Sequence, residues 1–495
     1  MNGTILGMLD NSLLIQNNDT RPNRNIFVFG GPGSYKTQAV VMTNIFNETE
    51  NSIVVTSTKG NVYEKTVSVK LKQGYAPYVI NFDSMRNSNR YNPLDYVYRD
   101  IDASTVANRI VASANRDSRK DVWYYSQQAL LKALILYVLY ESLPEDRNLP
   151  GITRFLQAFD TKKNKQGVSE LDKQFAKLDI NHPARRAYDL GFKKSMGEMQ
   201  GSIITSLLTT IADFVDEEVG AFSSFSDFDL KDIGRRKIIL YIIMPAINRT
   251  FENLANLFMS QLFEQLYDLA SENHDHLPLC VDFILDEFTN LGKFEIYEEF
   301  LATCREYGIG VTTLCQSLTQ LQAMYGRDKA ESILGNCAVK MCLNAANETT
   351  AKYFSNELGK ATVKVKTGSE SVSRSTTESR SMSDSYNYTS RSLMNPDEIA
   401  NMKADEAILT FITERAIKVK KACQFNLFPG ADSINVANQR EYVGKPDESQ
   451  VKKFQIKTKD FMNGIKGQIR QMQSDEELAK EYDMNFIDCA EEFFN

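Results

Sequence analysis

The chain has 495 residues, 24% of them charged and 42% hydrophobic, with a formal net charge of −7. These values are ordinary for a folded, soluble protein that is long enough for two domains. No apolar run reaches the 18 residues that a membrane-spanning helix needs, and three histidines are too few for a histidine-built metal site.

The N-terminus has neither a basic start nor a long apolar stretch, so no signal peptide is expected. Seven cysteines lie scattered without a CxxC pair, which predicts reduced core thiols in a cytosolic protein.

The net charge is concentrated in one segment. Residues 471–495 hold eight acidic residues and one lysine, so they account for the entire net charge and the rest of the chain is neutral. A neutral body can carry a basic channel balanced by acids elsewhere, so the overall charge does not argue against nucleic acid. We interpret the segment as a solvated amphipathic helix from about Asp475, with a docking site for a basic partner as the alternative.

The first predicted strand covers residues 25–29 (NIFVF). A Gly-rich turn follows over 30–37 (GGPGSYKT), and then an apolar helical run over 38–46. Strand, loop and helix in this order are the context that a phosphate-binding loop requires. Further strands at 53–56 and 78–82 predict the start of a parallel α/β sheet. Residues 1–100 are therefore assigned to the first part of a nucleotide-binding domain.

Residues 101–232 have apolar positions at helical spacing and no strand signals, which predicts an all-α domain inserted into the sheet domain. The sheet resumes at 237–244 (KIILYIIM), and strands at 281–285 and 310–315 follow. Residues 233–428 thus form the second part of the nucleotide-binding domain.

Residues 369–392 contain ten serines in 24 positions, many of them alternating. This pattern suits either an exposed hairpin or a disordered loop, and we favour a mobile loop. Strands at 407–412 and 416–423 close the domain. Residues 429–495 are expected to form a polar, acidic C-terminal tail.

The Gly-rich turn fits the template GxxxxGK[ST] at Gly30, Lys36 and Thr37. Its backbone N–H groups and the helix N-terminus supply a positive field, Lys36 reaches the outer phosphates, and Thr37 presents a hydroxyl to Mg²⁺. Tyr35 stands where the template has glycine, so its side chain must point away from the phosphates or the loop must shift. The alternative is a Gly-rich turn without a ligand. The predicted nucleotide-binding residues are Gly30, Gly31, Pro32, Gly33, Ser34, Tyr35, Lys36, Thr37 and Gln38.

The strand at 281–285 ends in two adjacent carboxylates. Asp286 is expected to hold Mg²⁺ through water, together with the Thr37 hydroxyl, and Glu287 to orient or deprotonate the attacking water. The alternative is that both acids merely cap the strand. Arg305 is either a surface arginine or a finger that reaches a neighbouring subunit, and Gln316 either senses the γ-phosphate or bonds to a loop.

Six segments together resemble, in order, the motifs of type IV coupling proteins, the ATPases of bacterial conjugation and type IV secretion. They are GGPGSYKTQ (30–38), TSTKGNVYEKT (56–66), NRYNPLDYV (89–97), the DEF…R…Q block (284–321), the segment from GNCAVK to ELGK (335–360) and LMNPDEIANMKADEAIL (393–409).

The resemblance implies a RecA-type P-loop α/β fold with a mostly parallel central sheet and an inserted all-α domain. It implies a homo-hexamer at the inner face of the plasma membrane that brings a relaxase and its single-stranded DNA to the secretion channel, using ATP and Mg²⁺. Lys36 and Thr37 fall on the family's first nucleotide motif, and Asp286 and Glu287 on its second. Arg305 falls on its arginine finger and Gln316 on its third motif.

The chain departs from the family pattern at Tyr35, at residues 57–60 (STKG in place of the usual DPKG), and at the start. Most members begin with two membrane-spanning helices, whereas here about 25 residues precede the first strand. Either an anchor has been removed, or a separate membrane protein tethers a cytoplasmic chain.

Two other functions stay open. The first is a substrate receptor that binds nucleotide as a structural switch with little hydrolysis, an idea motivated by Tyr35 and the acidic tail. The second is a chromosome-segregation translocase on duplex DNA, which the helical insertion and the lack of a duplex-reading module disfavour.

Overall fold

The protein is described by a computed structural model over residues 3–18, 23–58, 60–114, 121–159, 167–193, 200–246, 251–294, 296–374 and 378–433. The acidic segment 471–495 and its predicted helix lie outside these residues.

Thirteen strands lie in the described part of the chain: β1 (Gly3–Leu9), β2 (Ser12–Asn17), β3 (Ile26–Phe29), β4 (Ser52–Ser57), β5 (Ala76–Asn81), β6 (Ile238–Ile243), β7 (Val281–Leu285), β8 (Ile309–Cys315), β9 (Val339–Cys342), β10 (Lys360–Arg374), β11 (Glu378–Ser392), β12 (Glu406–Phe411) and β13 (Ile417–Lys420).

The α-helices of the same residues are α1 (Met42–Asn47), α2 (Asn61–Lys72), α3 (Asp100–Ala114), α4 (Val122–Glu141), α5 (Leu149–Gln157), α6 (Glu170–Ala176), α7 (Pro183–Ala187), α8 (Gln200–Thr210), α9 (Glu217–Phe222), α10 (Glu252–Glu272), α11 (Tyr297–Thr303), α12 (Leu318–Tyr325), α13 (Arg327–Gly335), α14 (Glu348–Leu358), α15 (Pro396–Ala400) and α16 (Gln424–Leu427).

Eleven strands form one sheet in the order β2-β1-β13-β12-β9-β3-β8-β7-β4-β6-β5. Its centre is parallel: β3 pairs with β8 and β9, and β7 pairs with β4 and β8. Strands β1, β2, β12 and β13 join by antiparallel pairing at one side. Strands β3, β4 and β6 are buried along their whole length, as is usual for a sheet that is covered on both faces. The predicted mostly parallel α/β sheet is confirmed.

The register of the central strands decides where the motifs meet. Phe29 lies opposite Cys315, and Leu285 lies opposite Thr313. The residues that follow β3, β7 and β8 therefore emerge at one edge of the sheet, where ligands of open α/β sheets bind.

The chain divides into two compact units. The first consists of the described residues within Met1–Pro77, Gly234–Tyr241 and Ala270–Val436, and it contains the parallel centre of the sheet. The second includes Tyr78–Ile233 and Ile242–Leu269, and it is mainly helical. In the second unit α4 is the central helix and packs against α3, α5, α7 and α8. The assignment of 101–232 as an inserted domain stays a prediction.

The preference for a mobile loop at 369–392 was wrong, and the hairpin alternative is correct. Strands β10 and β11 pair antiparallel from Lys360↔Ser392 to Arg374↔Glu378. Serine content argued for a loop, but the base of the hairpin carries the β-formers Val363, Val365, Tyr386 and Tyr388. The antiparallel pairing satisfies the backbone groups of both strands.

The sequence predicted reduced cysteines and no membrane-spanning helix. Six cysteines fall in the described residues, none of them in a disulfide, and burial raises the pKa of the Cys304 thiol to about 12. No helix in the described ranges is both long enough and apolar enough to cross a bilayer.

Candidate nucleotide-binding site

The Gly-rich loop begins where β3 ends and is tied to the neighbouring strand. The Gly30 N–H donates to the carbonyl of Cys315 at 3.1 Å, and the Ser34 N–H donates to the Gly31 carbonyl at 3.2 Å. A Cβ at Gly30 would lie 2.4 Å from Ser34 Oγ, and one at Gly31 would lie 3.1 Å from Ala346 Cβ. A Cβ at position 30 would force the Ser34 hydroxyl to turn aside, and position 31 leaves little room for one.

Lys36 is buried, and its ammonium group bonds to the loop itself. Its Nζ donates to the carbonyls of Gly30 at 2.6 Å and Gly31 at 3.2 Å. Burial lowers the pKa of Lys36, while the nearby Asp286 and Glu287 act in the opposite direction. An anionic phosphate would be a stronger acceptor for this ammonium group than the two carbonyls.

Tyr35 occupies the template's second glycine position in a left-handed conformation, with a φ of 66°. This backbone explains why the template has glycine, because a Cβ costs about 1–2 kcal/mol in this region. The ring is 45% exposed. It meets Phe425 edge-on, with centroids 6.4 Å apart, and Lys421 Nζ lies 5.9 Å from its centroid. The side chain therefore packs toward residues 421–425.

The helix after the loop starts irregularly. Residues Thr37–Val41 form a π-helical turn that continues into α1. Wide turns of this kind are frequent at functional sites. Within this turn, the Gln38 Oε1 accepts a hydrogen bond from Gln424 Nε2 at 3.1 Å, so α16 also contacts the loop's helix.

Asp286 follows β7 and is held by three hydrogen bonds. Its Oδ2 accepts from the Thr37 hydroxyl at 3.0 Å, and its Oδ1 accepts from the Glu287 N–H at 3.0 Å. The Thr56 hydroxyl donates to its backbone carbonyl at 2.8 Å. Burial raises the pKa of the Asp286 carboxyl to about 6.

Glu287 has a φ of 47°, which is unusual for a residue other than glycine. It starts a 3₁₀ turn over Phe288–Leu291, and its Oε2 accepts from Asn290 Nδ2 at 2.9 Å. Strained backbone that persists beside a cluster of polar groups is common at active sites. The turn brings the carboxylate out of the strand and gives it a fixed hydrogen-bond partner.

The residues fit a nucleoside triphosphate with Mg²⁺. The hydroxyl of Thr37 and the carboxylate of Asp286 are oxygen ligands of the kind that Mg²⁺ prefers. Ser34 Oγ is buried and has no hydrogen-bond partner within the described residues. The described chain has no cluster of three or more acidic, cysteine or histidine ligands. Mg²⁺ needs few protein ligands, because it keeps several waters and uses substrate phosphates as ligands.

The structure brings Gln316 to this edge of the sheet and leaves Arg305 at the other. Gln316 directly follows Cys315, the partner of Gly30, and its Oε1 accepts from Gln320 Nε2 at 3.4 Å. Arg305 is exposed and precedes β8. The seven residues of β8 separate Arg305 from the loop by about 20 Å. Arg305 therefore does not serve the nucleotide site of its own chain.

Two groups of residues near the loop were missed by the sequence reasoning. Ala346, beyond β9, approaches Gly31, and Lys421, Gln424 and Phe425 contact the loop and its helix. Residues 416–423 were predicted as one strand, but β13 ends at Lys420 and α16 begins at Gln424. No local sequence motif identifies these residues, because it is the order of the strands in the sheet that brings them to the loop.

Comparison with known proteins gives a family and relatives. Residues 8–463 match the model of the family described as type IV secretory system conjugative DNA transfer. The conjugal transfer protein TraG of Escherichia coli is 28% identical over 375 residues, which are 71% of this chain and 58% of TraG. The protein VirD4 of Rhizobium radiobacter is 26% identical over 384 residues, which are 75% of this chain and 53% of VirD4. The chain thus matches a little over half the length of these curated relatives.

Solved structures show the same fold. The plasmid coupling protein TrwB, in complex with ADP and Mg²⁺, has a TM-score of 0.60 at 15% identity, with 84% of this chain and 88% of TrwB covered. VirB4 of Thermoanaerobacter pseudethanolicus has a TM-score of 0.51 at 11% identity, with coverage of 85% and 96%. The expected RecA-type P-loop fold is confirmed. Because the family model spans nearly the whole chain, this protein belongs to the type IV secretory system conjugative DNA transfer family, that is, to the type IV coupling proteins.

Proposed function

We propose that this chain is a coupling ATPase that recruits a relaxase–DNA substrate to a type IV secretion channel and drives its transfer by hydrolysing ATP. The observation that carries the proposal is the 3.0 Å hydrogen bond from Thr37 Oγ1 to Asp286 Oδ2. It joins two motifs 249 residues apart in the arrangement that holds a nucleotide and its metal. Family membership supports the coupling role.

The loop and its flanking residues bind the substrate in this proposal. Backbone N–H groups of the loop, the Ser34 hydroxyl and Lys36 bind the phosphates. Thr37 and Asp286 would hold Mg²⁺, which, when bound, neutralises charge that develops on the phosphate oxygens. Tyr35 flanks the nucleotide site from the side of residues 421–425.

Glu287 is the proposed base. A water oxygen forms a bond to the γ-phosphorus, the bond from that phosphorus to the oxygen bridging to ADP breaks, and the water proton passes to the Glu287 carboxylate. The hydrogen bond from Asn290 keeps this carboxylate in position. Gln316 lies at the same edge of the sheet and is proposed to contact the γ-phosphate.

Arg305 is proposed to complete the site of a neighbouring copy. Its exposed position at the far edge of the sheet supports a role outside its own chain. An arginine supplied in this way stabilises charge in the transition state. The active form is therefore proposed to be a homo-hexamer, in which each copy gives its arginine to the next.

The remaining partners follow from the coupling role. We propose a relaxase, single-stranded DNA and secretion-channel components as partners. The chain would act on the cytoplasmic side, at the inner face of the plasma membrane, through a membrane-anchor partner or an N-terminal anchor of its own. The proposed inserted domain, residues 101–232, would select the substrate.

A second candidate is a receptor that uses nucleotide as a structural switch with little turnover. The contact between Tyr35 and Phe425 favours it, because it couples the phosphate loop directly to the segment before the C-terminal tail. A shift of the loop on nucleotide binding would then move α16.

The test measures ATPase activity against protein concentration, with and without single-stranded DNA. We expect Mg²⁺-dependent activity that rises with concentration and with DNA, and its loss in Lys36→Ala and Glu287→Gln. Exposed residues of the same types provide matched controls, Lys72→Ala and Glu331→Gln, which keep wild-type activity.

Two results would decide against the proposal. Nucleotide binding without turnover, under conditions where the hexamer is shown to form, would favour the switch. Absence of nucleotide binding would exclude both candidates and leave a scaffold.

A further inference from the structure

The base of the β10–β11 hairpin carries a row of lysines and tyrosines on one face. Lys364 lies directly opposite Tyr388, and Lys366 directly opposite Tyr386. Directly opposed residues of an antiparallel pair share a face, and so do residues two apart on one strand. Lys360 is therefore on this face too. We call these five residues the hairpin stripe.

The side chains of the stripe are open to solvent. Tyr386 is 53% exposed and Tyr388 is 73% exposed, and the three lysines are exposed as well. The two tyrosines are about 7 Å apart along their strand. Two exposed rings side by side form a contiguous apolar patch, and such patches mark interaction sites more often than single exposed rings do.

The stripe is cationic. Thr362, Ser390 and Ser392 on the same face are neutral, and the next pair toward the tip, Gly368↔Asp384, adds one carboxylate, so the three lysines exceed the acid beside them. Lys364 Nζ lies 4.2 Å from the centroid of the Tyr386 ring. The ammonium groups and the aromatic faces are thus intermixed within one small surface.

We propose that the hairpin stripe is a contact surface for single-stranded DNA, with bases stacked on Tyr386 and Tyr388 and phosphates bound by the three lysines. Aromatic platforms combined with a positive surface are how proteins hold single strands without reading their sequence. Duplex DNA offers phosphates but keeps its bases stacked within the helix, so only the lysines of the stripe would bind it and the tyrosines would not. The inference rests on the proposed function, because it identifies where that function's DNA would bind.

Sequence alone did not show this surface. The lysines lie in KATVKVK (360–366) and the tyrosines in YNY (386–388), separated by the serine-rich segment. Each segment by itself has the alternating pattern of an ordinary strand. Only the register of the hairpin places them side by side.

The test measures binding of the full chain to a fluorescent ~30-nucleotide oligothymidylate by anisotropy, across a salt series. In one variant, Tyr386→Ser and Tyr388→Ser are combined, and we expect at least about a tenfold loss of affinity from lost stacking. The matching Tyr386→Phe and Tyr388→Phe variant keeps both rings and should bind within about twofold of the wild type.

A second variant combines Lys360→Gln, Lys364→Gln and Lys366→Gln. Three phosphate contacts contribute about 2 to the slope of log affinity against log salt on a single strand. We expect the slope to fall by that amount, with about a 100-fold loss of affinity at 0.1 M salt that vanishes toward 1 M. Exposed residues outside β10 and β11 provide the controls: Tyr125→Ser for the aromatic change, and Lys72→Gln, Lys403→Gln and Lys420→Gln combined for the charge change.

The outcomes separate the inference from the proposed function. Wild-type affinity in the serine variant, or an unchanged salt slope in the glutamine variant, would overturn the stripe while leaving the ATPase and its DNA intact. A wild-type chain that hydrolyses ATP but binds no single strand would overturn the stripe and the proposed DNA cargo together. Basal ATPase without DNA should be unchanged in every stripe variant, which also shows that each variant is folded.

Discussion

The left-handed backbone of Tyr35 predicts an inverted order of stability for two substitutions. Replacing glycine by alanine commonly stabilises a protein by about 0.4–1 kcal/mol, through the entropy of the unfolded chain. At a φ of 66° the order should reverse, and Tyr35→Gly should be more stable than Tyr35→Ala. Both variants lose the same ring, so their difference isolates the backbone.

The magnitude follows from the contacts of the ring and the cost of the conformation. An edge-on aromatic pair contributes about 0.5–1.5 kcal/mol and an exposed cation–π contact about 0.5–1 kcal/mol. Since Tyr35 is 45% exposed, the lower half of that sum applies, and Tyr35→Ala should lose about 1–2 kcal/mol. Tyr35→Gly loses the same contacts but regains the ~1–2 kcal/mol of backbone strain, less ~0.4–1 kcal/mol of entropy. Glycine should therefore exceed alanine by up to about 1.5 kcal/mol.

Urea unfolding of the two variants, side by side, measures this difference. Glu331 provides the control, because it is exposed in the middle of α13 with ordinary helical geometry. There, Glu331→Gly should be less stable than Glu331→Ala by about 1 kcal/mol. If Tyr35→Ala proved more stable than Tyr35→Gly by the ~0.4–1 kcal/mol of an ordinary position, the strained loop would be refuted.

Three further predictions concern polar groups that are buried or partly buried. Arg24→Met leaves the Asp282 carboxylate buried without its salt-bridge partner, so urea unfolding should show a loss of about 3–5 kcal/mol that adding Asp282→Asn largely restores; no rescue by the double variant would contradict a buried pair. Burial raises the folded-state pKa of Asp286 from 3.8 to about 6, so the folded state holds this proton more tightly than the unfolded state does. The resulting stabilisation is complete below pH 3.8 and is lost as the pH rises through about 6. At ~1.4 kcal/mol per pH unit this amounts to about 3 kcal/mol, so nucleotide-free Asp286→Asn should gain on the wild type between pH 4 and 7, and parallel pH profiles would count against the buried carboxylate. Thr37→Val removes the hydroxyl that meets Asp286 and should weaken Mg²⁺-dependent more than Mg²⁺-free nucleotide binding by titration calorimetry; an equal loss in both would argue against a metal role.

Apolar runs predicted the central strands because these strands are buried on both faces. The predicted strands at 53–56, 237–244 and 281–285 match β4, β6 and β7 within one residue at each end. β1, β2 and β9 were not predicted. β2 is only partly buried, and Lys340 interrupts the apolar residues of β9, so neither shows the apolar run that marks the central strands.

For the serine-rich hairpin, the sequence favoured the wrong alternative for a different reason. Composition alone favoured a loop, since serine neither fills a core nor prefers a strand. Pairing along 15 residues of each strand compensates for that weakness, and pairing is a property of two segments together. The alternating serines were therefore compatible with a hairpin but could not distinguish it from a loop.

By itself, the sequence determined the chemistry of the nucleotide site. A strand, a Gly-rich turn and a helix follow each other at 25–46, and two carboxylates end the strand at 281–285, because these features depend only on neighbouring residues. The two motifs predicted that Thr37 and Asp286 share a metal, and the strand order brings them together. Tertiary structure alone decided that Tyr35 and Glu287 adopt left-handed backbones and that Arg305 lies at the opposite edge of the sheet. These outcomes depend on strand order and register, which are fixed by burial across the whole sheet and leave no mark in any short segment.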